Sequence, residues 1–85
     1  MQHYVAGFLF SPDMTKVVLI KKNKPKWMKG FLNAVGGKQK PYEFSDNAQR
    51  REFLEEAGVD IPEKDWELFC VLNGTSPDFQ VCFYR

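Results

Sequence analysis

Three glutamates lie close together in the second half of the chain, at Glu52, Glu55 and Glu56. In an α-helix this spacing of i, i+3 and i+4 places all three on one face, where like charges repel each other. Clustered carboxylate oxygens are ligands that hard divalent cations such as Mg²⁺ prefer, and such a cation would offset the repulsion. The three glutamates therefore predict either a metal site or an acidic helix face exposed to solvent.

Two further charged residues accompany the three glutamates. Glu43 precedes the predicted helix, and Arg51 lies on it directly before Glu52. We expect Glu43 and Arg51 to pair. The pair would hold the preceding loop against the helix and orient the acidic side chains.

The spacing of these residues forms a longer pattern. Gly37 is followed by five residues and Glu43, and then by seven residues and the run that ends at Gly58-Val59. This segment, residues 37–59, resembles the Nudix box, Gly-x5-Glu-x7-Arg-Glu-U-x-Glu-Glu-x-Gly-U, in which U is a bulky apolar residue. Every fixed position matches, although Phe53 is aromatic where the family usually has an aliphatic residue. The segment before the box is most similar to that of members that hydrolyse nucleoside triphosphates.

The resemblance implies a fold, an activity and a cofactor. It implies an α+β (mixed α/β) fold of the Nudix type, an α/β/α sandwich, and hydrolysis of the pyrophosphate bond of a nucleoside diphosphate derivative with Mg²⁺ or Mn²⁺. Carried over by position, the catalytic residues are Arg51, Glu52, Glu55 and Glu56, with Glu52 as a candidate general base. The implied metal ligands are the Gly36 backbone carbonyl and the side chains of Glu52, Glu55 and Glu56.

The resemblance also implies contacts with the substrate, which we expect to be a nucleoside triphosphate, ordinary or oxidised. Asn33 occupies the position from which an asparagine contacts the base in members that act on oxidised purine nucleotides, and its amide offers both a donor and an acceptor. Lys38 follows the two glycines and is placed to meet phosphates, and Trp27 could stack on a base. The alternatives are a structural role for Asn33, packing for Trp27 and a solvated surface for the lysines.

The order of the predicted elements is three strands, one helix and two strands. A turn around Asp13 separates the first two strands and suggests a hairpin, and an apolar run makes the second one typical of a buried strand. Ser45 is a candidate N-cap, Gly58 is suited to end the helix, and Ala48, Phe53 and Val59 are expected to face the core. The predicted strands are residues 3–10, 16–21, 31–35, 66–72 and 79–84, and the predicted helix is residues 45–57.

Composition excludes two classes of protein. Aromatic residues make up 15% of the chain, far too many for intrinsic disorder, and no apolar run approaches the roughly 18 residues of a membrane span. The start of the chain lacks the features of a signal peptide, so we expect a single cytoplasmic domain over residues 1–85 and no membrane partner. The net charge of +1 hides a lysine-rich stretch before Glu43 and an acidic one after it, which suits an anion bridged to the protein through a metal.

The chain ends within the last predicted strand, so we expect a Nudix fold that is shortened at its C-terminus. An uncovered apolar strand at residues 79–84 would be a site of association, and a homodimer is therefore expected. The alternative is a monomer in which this strand lies centrally in the sheet. Two other functions stay open: a Nudix-fold nucleotide-binding or regulatory module with little turnover, and an RNA-directed protein, with a nucleic-acid partner the less favoured.

Overall fold

The computed structural model of the protein describes residues 1–21 and 32–85, and in this part of the chain the strands form two sheets beside one α-helix. A short 3-10 helix, Glu63–Asp65, precedes the fifth strand. The other elements, in chain order, are β1 (Gln2–Gly7), β2 (Ile20–Lys21), β3 (Leu32–Asn33), β4 (Val35–Lys38), α1 (Ser45–Ala57), β5 (Leu68–Gly74) and β6 (Phe79–Tyr84).

The larger sheet is mixed, with the strand order β4-β1-β6-β5. β1 pairs antiparallel with β4 and parallel with β6, while β5 and β6 form an antiparallel hairpin. β2 and β3 form a separate two-stranded sheet. The α+β fold predicted from the sequence is confirmed.

The core lies between α1 and one face of the larger sheet. α1 packs mainly on β4 and β1. Phe53 is buried on the inner side of the helix and meets Trp66 edge to face, with ring centroids 5.3 Å apart. Edge-to-face contacts of this kind add to the stabilisation that burial of the two rings provides. The buried apolar residues are Val5, Val35, Ala48, Phe53, Trp66, Cys82 and Tyr84.

The start of α1 lies where it was predicted, but its cap differs. Phe44 is the N-cap and makes no side-chain capping bond, so the prediction that Ser45 caps the helix is wrong. The Ser45 hydroxyl instead forms a hydrogen bond of 2.5 Å with the Tyr84 hydroxyl on β6. This bond anchors the first turn of the helix to the sheet, and it gives the buried Tyr84 hydroxyl a partner.

The end of α1 follows the prediction. Gly58 has φ 75°, in the left-handed region, and its N–H donates to the Leu54 carbonyl at 3.0 Å. Glycine adopts this conformation without the steric cost of a Cβ. Val59 was expected to face the core, but half of it is exposed, because the chain has already turned away from the sheet.

The apolar run at residues 17–20 is not the buried strand that was predicted. Only Ile20–Lys21 is a strand, and Val17, Val18 and Leu19 are each close to 40% exposed. Val17 forms an isolated antiparallel bridge with Phe10, so the hairpin is present as an extension of β1. The helix packs mainly on β1 and β4, and within this run Ile20 packs against the core.

β6 lies inside the larger sheet, between β1 and β5, as in the alternative arrangement considered above. Both of its edges are paired, so an unpaired β6 edge cannot drive association.

β5 covers Leu68–Gly74 rather than residues 66–72. On the sheet face opposite α1, Phe69 and Phe83 lie 6.4 Å apart, and Phe69 is 45% exposed. Apolar surface therefore persists on a face of β5 and β6 rather than at an edge.

Among residues 1–21 and 32–85, no helix is long and apolar enough to cross a membrane.

Gly58→Ala should lower the free energy of unfolding by about 1 kcal/mol, because the left-handed conformation brings Cβ too close to the backbone. An added Cβ would have no neighbour within 4 Å, so the loss would come from the backbone conformation alone. Urea denaturation measures it. Gly58→Asn is the control and should lose less, since asparagine tolerates this region. Equal stability of Gly58→Ala and the wild type would contradict the assigned helix end.

Candidate functional site

The guanidinium of Arg51 lies at the centre of the candidate site. It donates from Nε to Glu43 Oε2 at 2.6 Å and from Nη2 to Glu43 Oε1 at 2.8 Å. Two parallel bonds of this kind fix both position and orientation. The predicted pairing of Glu43 with Arg51 is therefore present, and it holds the loop before α1 against the helix.

The same guanidinium reaches the acidic face of α1 and the end of β4. Nη1 donates to Glu52 Oε1 at 2.9 Å and, over 3.3 Å, to both carboxylate oxygens of Glu55. Nη2 also donates to the Lys38 carbonyl at 3.3 Å. Arg51 thus ties three segments of the chain together at one point.

Charge at this point is unbalanced. One guanidinium meets three carboxylates, which leaves a formal excess of two negative charges. Hydrogen bonding to Arg51 lowers the pKa of Glu43, whose side chain is only 8% exposed. The same bond to Glu43 raises the pKa of Arg51. The pair of Glu43 and Arg51 is therefore held in its charged form.

Gly37 gives the Glu52 carboxylate its place against β4. A Cβ added to Gly37 would lie 2.7 Å from a Glu52 carboxylate oxygen, closer than real Cβ contacts allow. A Cβ on the preceding Gly36 would overlap the Val5 carbonyl oxygen of the paired strand. The two glycines let β4 lie tightly between β1 and the acidic face of α1.

The oxygen atoms offered by Glu52, Glu55, Glu56 and the Gly36 carbonyl are of the types that bind Mg²⁺ or Mn²⁺. Carboxylate and carbonyl oxygens suit both ions. Because Gly37 has no side chain, the Glu52 carboxylate lies against the backbone that carries the Gly36 carbonyl, and we call this close approach of Glu52 to Gly37 the glycine cradle. As the side chains stand, no three His, Cys, Asp or Glu residues of the described ranges converge closely enough to hold an ion. Glu52 and Glu55 share Arg51 Nη1, and the side chain of Glu55 is 54% exposed. Glu56 lies beside it, exposed at the end of the helix.

The predicted substrate contacts lie in different places. Lys38 ends β4 and lines a surface cavity of about 510 Å³ together with His3, Gln39 and Lys40. The Lys38 carbonyl, bonded to Arg51, connects this cavity to the acidic face of α1. Asn33 is half-buried on β3, opposite Ile20 in the small sheet. Trp27 lies outside the described residues.

Gln49 is a residue of this region that sequence reasoning missed. It is fully buried on the inner face of α1, and its Nε2 donates to the Val35 carbonyl at 3.2 Å. One signal was available, because Gln49 stands four residues before the buried Phe53 and therefore on the same side of the helix.

Solved structures of MutT and Nudix proteins match the chain over nearly its whole length. A MutT/Nudix family protein from Enterococcus faecalis matches 98% of the chain with a TM-score of 0.78 and 22% identity. A structure of MutT, from work on Aliivibrio salmonicida and Vibrio cholerae, matches 96% of it with a TM-score of 0.77 and 28% identity. These similarities establish a Nudix-type fold, which is the fold that the resemblance of residues 37–59 implies.

The other comparisons add no relative. No family model matches the sequence, and no curated protein does. The chain spans 35% of the Enterococcus faecalis protein and 63% of the MutT chain.

Arg51→Ala should lower the free energy of unfolding at pH 7 by about 2–3 kcal/mol, because a largely buried Glu43 carboxylate loses two charge-assisted hydrogen bonds. The folded chain holds the pKa of Glu43 below its ordinary value of 4.5. The contribution of the pair is therefore complete above that pH and is lost as the pH falls through the lowered value. Denaturation curves at several pH values should show the two proteins converging in acid.

Arg50→Ala serves as the matched control, because Arg50 neighbours Arg51 on α1 but pairs with Asp60 and Glu63 at the surface. Its loss of stability should be smaller. If Arg51→Ala unfolds like the wild type and only substrate affinity falls, the role of Arg51 as a structural partner of Glu43 is refuted.

Proposed function

We propose that this chain is a divalent-metal-dependent Nudix hydrolase that cleaves the pyrophosphate bond of a nucleoside diphosphate derivative. The substrate class we favour is a nucleoside triphosphate, ordinary or oxidised. Similarity to MutT and Nudix structures supports the fold. Because the chain spans only part of those proteins, the activity is proposed from the residues of the site.

One observation carries the proposal. The Glu52 carboxylate lies against Gly37, where no Cβ fits, and it shares Arg51 Nη1 with Glu55. A solvent-exposed acidic face would need neither a glycine cradle nor a shared guanidinium. The arrangement concentrates negative charge beside the backbone of β4, as a cation site requires.

In this proposal, Glu52, Glu55, Glu56 and the Gly36 carbonyl hold Mg²⁺ or Mn²⁺, which when bound offsets the charge of the pyrophosphate and helps to activate water. Arg51 orients Glu52 and Glu55 through Nη1 while Glu43 fixes its own position. Glu52 is the candidate general base, because its carboxylate can accept a proton from an attacking water.

The lysines and Asn33 are assigned to the substrate. Lys38 and Lys40 line a cavity next to the acidic face, and neither makes an ion pair within residues 1–21 and 32–85. Ammonium groups that make no ion pair suit phosphate oxygens. Asn33 stays a candidate for base recognition and Trp27 for stacking on the base.

A product-release screen tests the function. Substrates should include deoxynucleoside triphosphates, oxidised deoxynucleoside triphosphates, ADP-ribose, NADH and dinucleoside polyphosphates, each with Mg²⁺ and with Mn²⁺. Cation-dependent hydrolysis of one of these supports the proposal. Binding without turnover of any substrate, or strongly salt-dependent binding of RNA alone, would refute it.

Glu55→Gln and Glu56→Gln should each reduce kcat about 10²-fold or more without unfolding the chain, because the amide keeps the shape of the side chain and loses the charge that a cation needs. Both side chains are exposed, so folding should be little affected. Asp65→Asn is the matched control, since Asp65 is acidic and exposed in the 3-10 helix away from the cradle. Near-normal turnover of either glutamine variant at saturating Mg²⁺ would refute the ligand assignment.

Self-association and a cytoplasmic location also stay predictions. The apolar sheet face opposite α1 supports self-association, since Phe69 and Leu72 are each close to half exposed. We expect a homodimer formed through this face, because burying it in a second copy removes apolar area from water.

Sedimentation across a range of concentrations should therefore show dimers that increase with concentration. Leu72→Lys should shift the protein to monomer, because a charge would be placed in the contact. Leu54→Lys is the control, since Leu54 is similarly exposed on α1, away from this face. A wild-type protein that stays monomeric at high concentration would rule out the homodimer.

A further inference from the structure

Gln49 is completely buried between α1 and the larger sheet. Its Nε2 donates a hydrogen bond of 3.2 Å to the carbonyl oxygen of Val35 on β4. Val35 directly precedes Gly36, whose carbonyl is a candidate ligand in the proposed site. The amide of Gln49 therefore holds β4 to the helix one residue away from that ligand.

The surroundings of Gln49 leave room for this side chain and for little else. A Cβ on Gly7 of β1 would overlap Gln49 Nε2 and would come within 3.1 Å of the Trp66 ring. Gly7 lies opposite Val35 in the ladder between β1 and β4. A glycine on the neighbouring strand thus accommodates the amide that reaches the Val35 carbonyl.

Burying this amide is costly for the fold. Gln49 Oε1 has no hydrogen-bond partner among the described residues. A buried polar atom without a partner costs about 1–3 kcal/mol, whereas an apolar side chain of similar shape avoids that cost. Methionine or leucine would avoid this cost but would remove the donor to the buried Val35 carbonyl, so stability alone gives glutamine no clear advantage. The one bond that Gln49 makes therefore calls for a separate explanation.

We propose that Gln49 is a positioning residue, which restrains β4 next to Gly36, and thereby the place of the Gly36 carbonyl, by holding the Val35 carbonyl. This inference rests on the proposed function, in which that carbonyl is a cation ligand. Gln49 itself contacts neither the cation nor the substrate. Residues that orient metal ligands commonly affect metal affinity by 10–100-fold, which is the effect expected of Gln49.

The test compares wild type, Gln49→Met and Trp66→Phe. Mn²⁺ affinity is measured by electron paramagnetic resonance, the melting temperature by circular dichroism, and amide hydrogen exchange at Gly36 and Gly37 by NMR without metal. Methionine keeps the volume of glutamine but cannot donate to Val35. Trp66→Phe changes the same core through a side chain with no hydrogen bond to β4.

For Gln49→Met we expect Mn²⁺ affinity about 10–100-fold weaker and faster exchange at Gly36 and Gly37. The melting temperature should stay close to that of the wild type, because the unpartnered Oε1 is removed together with the donor to the Val35 carbonyl. Trp66→Phe should melt lower and keep the wild-type Mn²⁺ affinity. Unchanged affinity and exchange in Gln49→Met would overturn the positioning role, as would a melting temperature that falls as far as in Trp66→Phe. A wild type that binds no Mn²⁺ would instead overturn the proposed function, and the exchange measurement would still decide the positioning role.

Discussion

The guanidinium of Arg51 joins three parts of the chain at one point. It binds Glu43 in the loop before α1, Glu52 and Glu55 on the helix, and the Lys38 carbonyl at the end of β4. Each bond constrains a different segment, so one planar group sets the relation between loop, helix and strand. A lysine has the charge but not the fixed fork of donors that this geometry uses.

In the candidate site, β4 approaches the helix closely and negative charge exceeds positive charge. The Gly36–Gly37 pair removes the side chains that would separate β4 from β1 and from Glu52. The carboxylates of Glu43, Glu52 and Glu55 are held close together near β4. The single positive charge of Arg51 does not neutralise all three. Repulsion among these carboxylates opposes the folding of a chain whose core is small. A bound cation would reduce that repulsion.

The sequence predicted the features that depend on local chemistry. The acidic Asp46 lies in the first turn of α1 and Gly58 ends the helix, both as expected, and the pairing around Arg51 follows from the fixed spacing of its residues. Features that depend on distant partners were not predictable. The Ser45 hydroxyl bonds Tyr84, 39 residues away, so a candidate cap became an anchor to the sheet. Likewise, the apolar run at residues 17–20 suggested burial, but nothing local could indicate that α1 would cover β1 and β4 instead.

The central pairing of β1 with β6 gives this fold an order of assembly. α1, β1 and β4 contact one another within residues 2–57, whereas β1 meets β6 through pairs such as Gln2 with Phe79. Joining segments so far apart in sequence carries a large loop-closure entropy and slows folding. On the ribosome, the part of the chain that carries Arg51 and the glutamates would emerge before the β5–β6 hairpin. One edge of β1 would wait unpaired until residues 79–84 arrive, and that interval is when a nascent chain is most exposed to wrong strand partners.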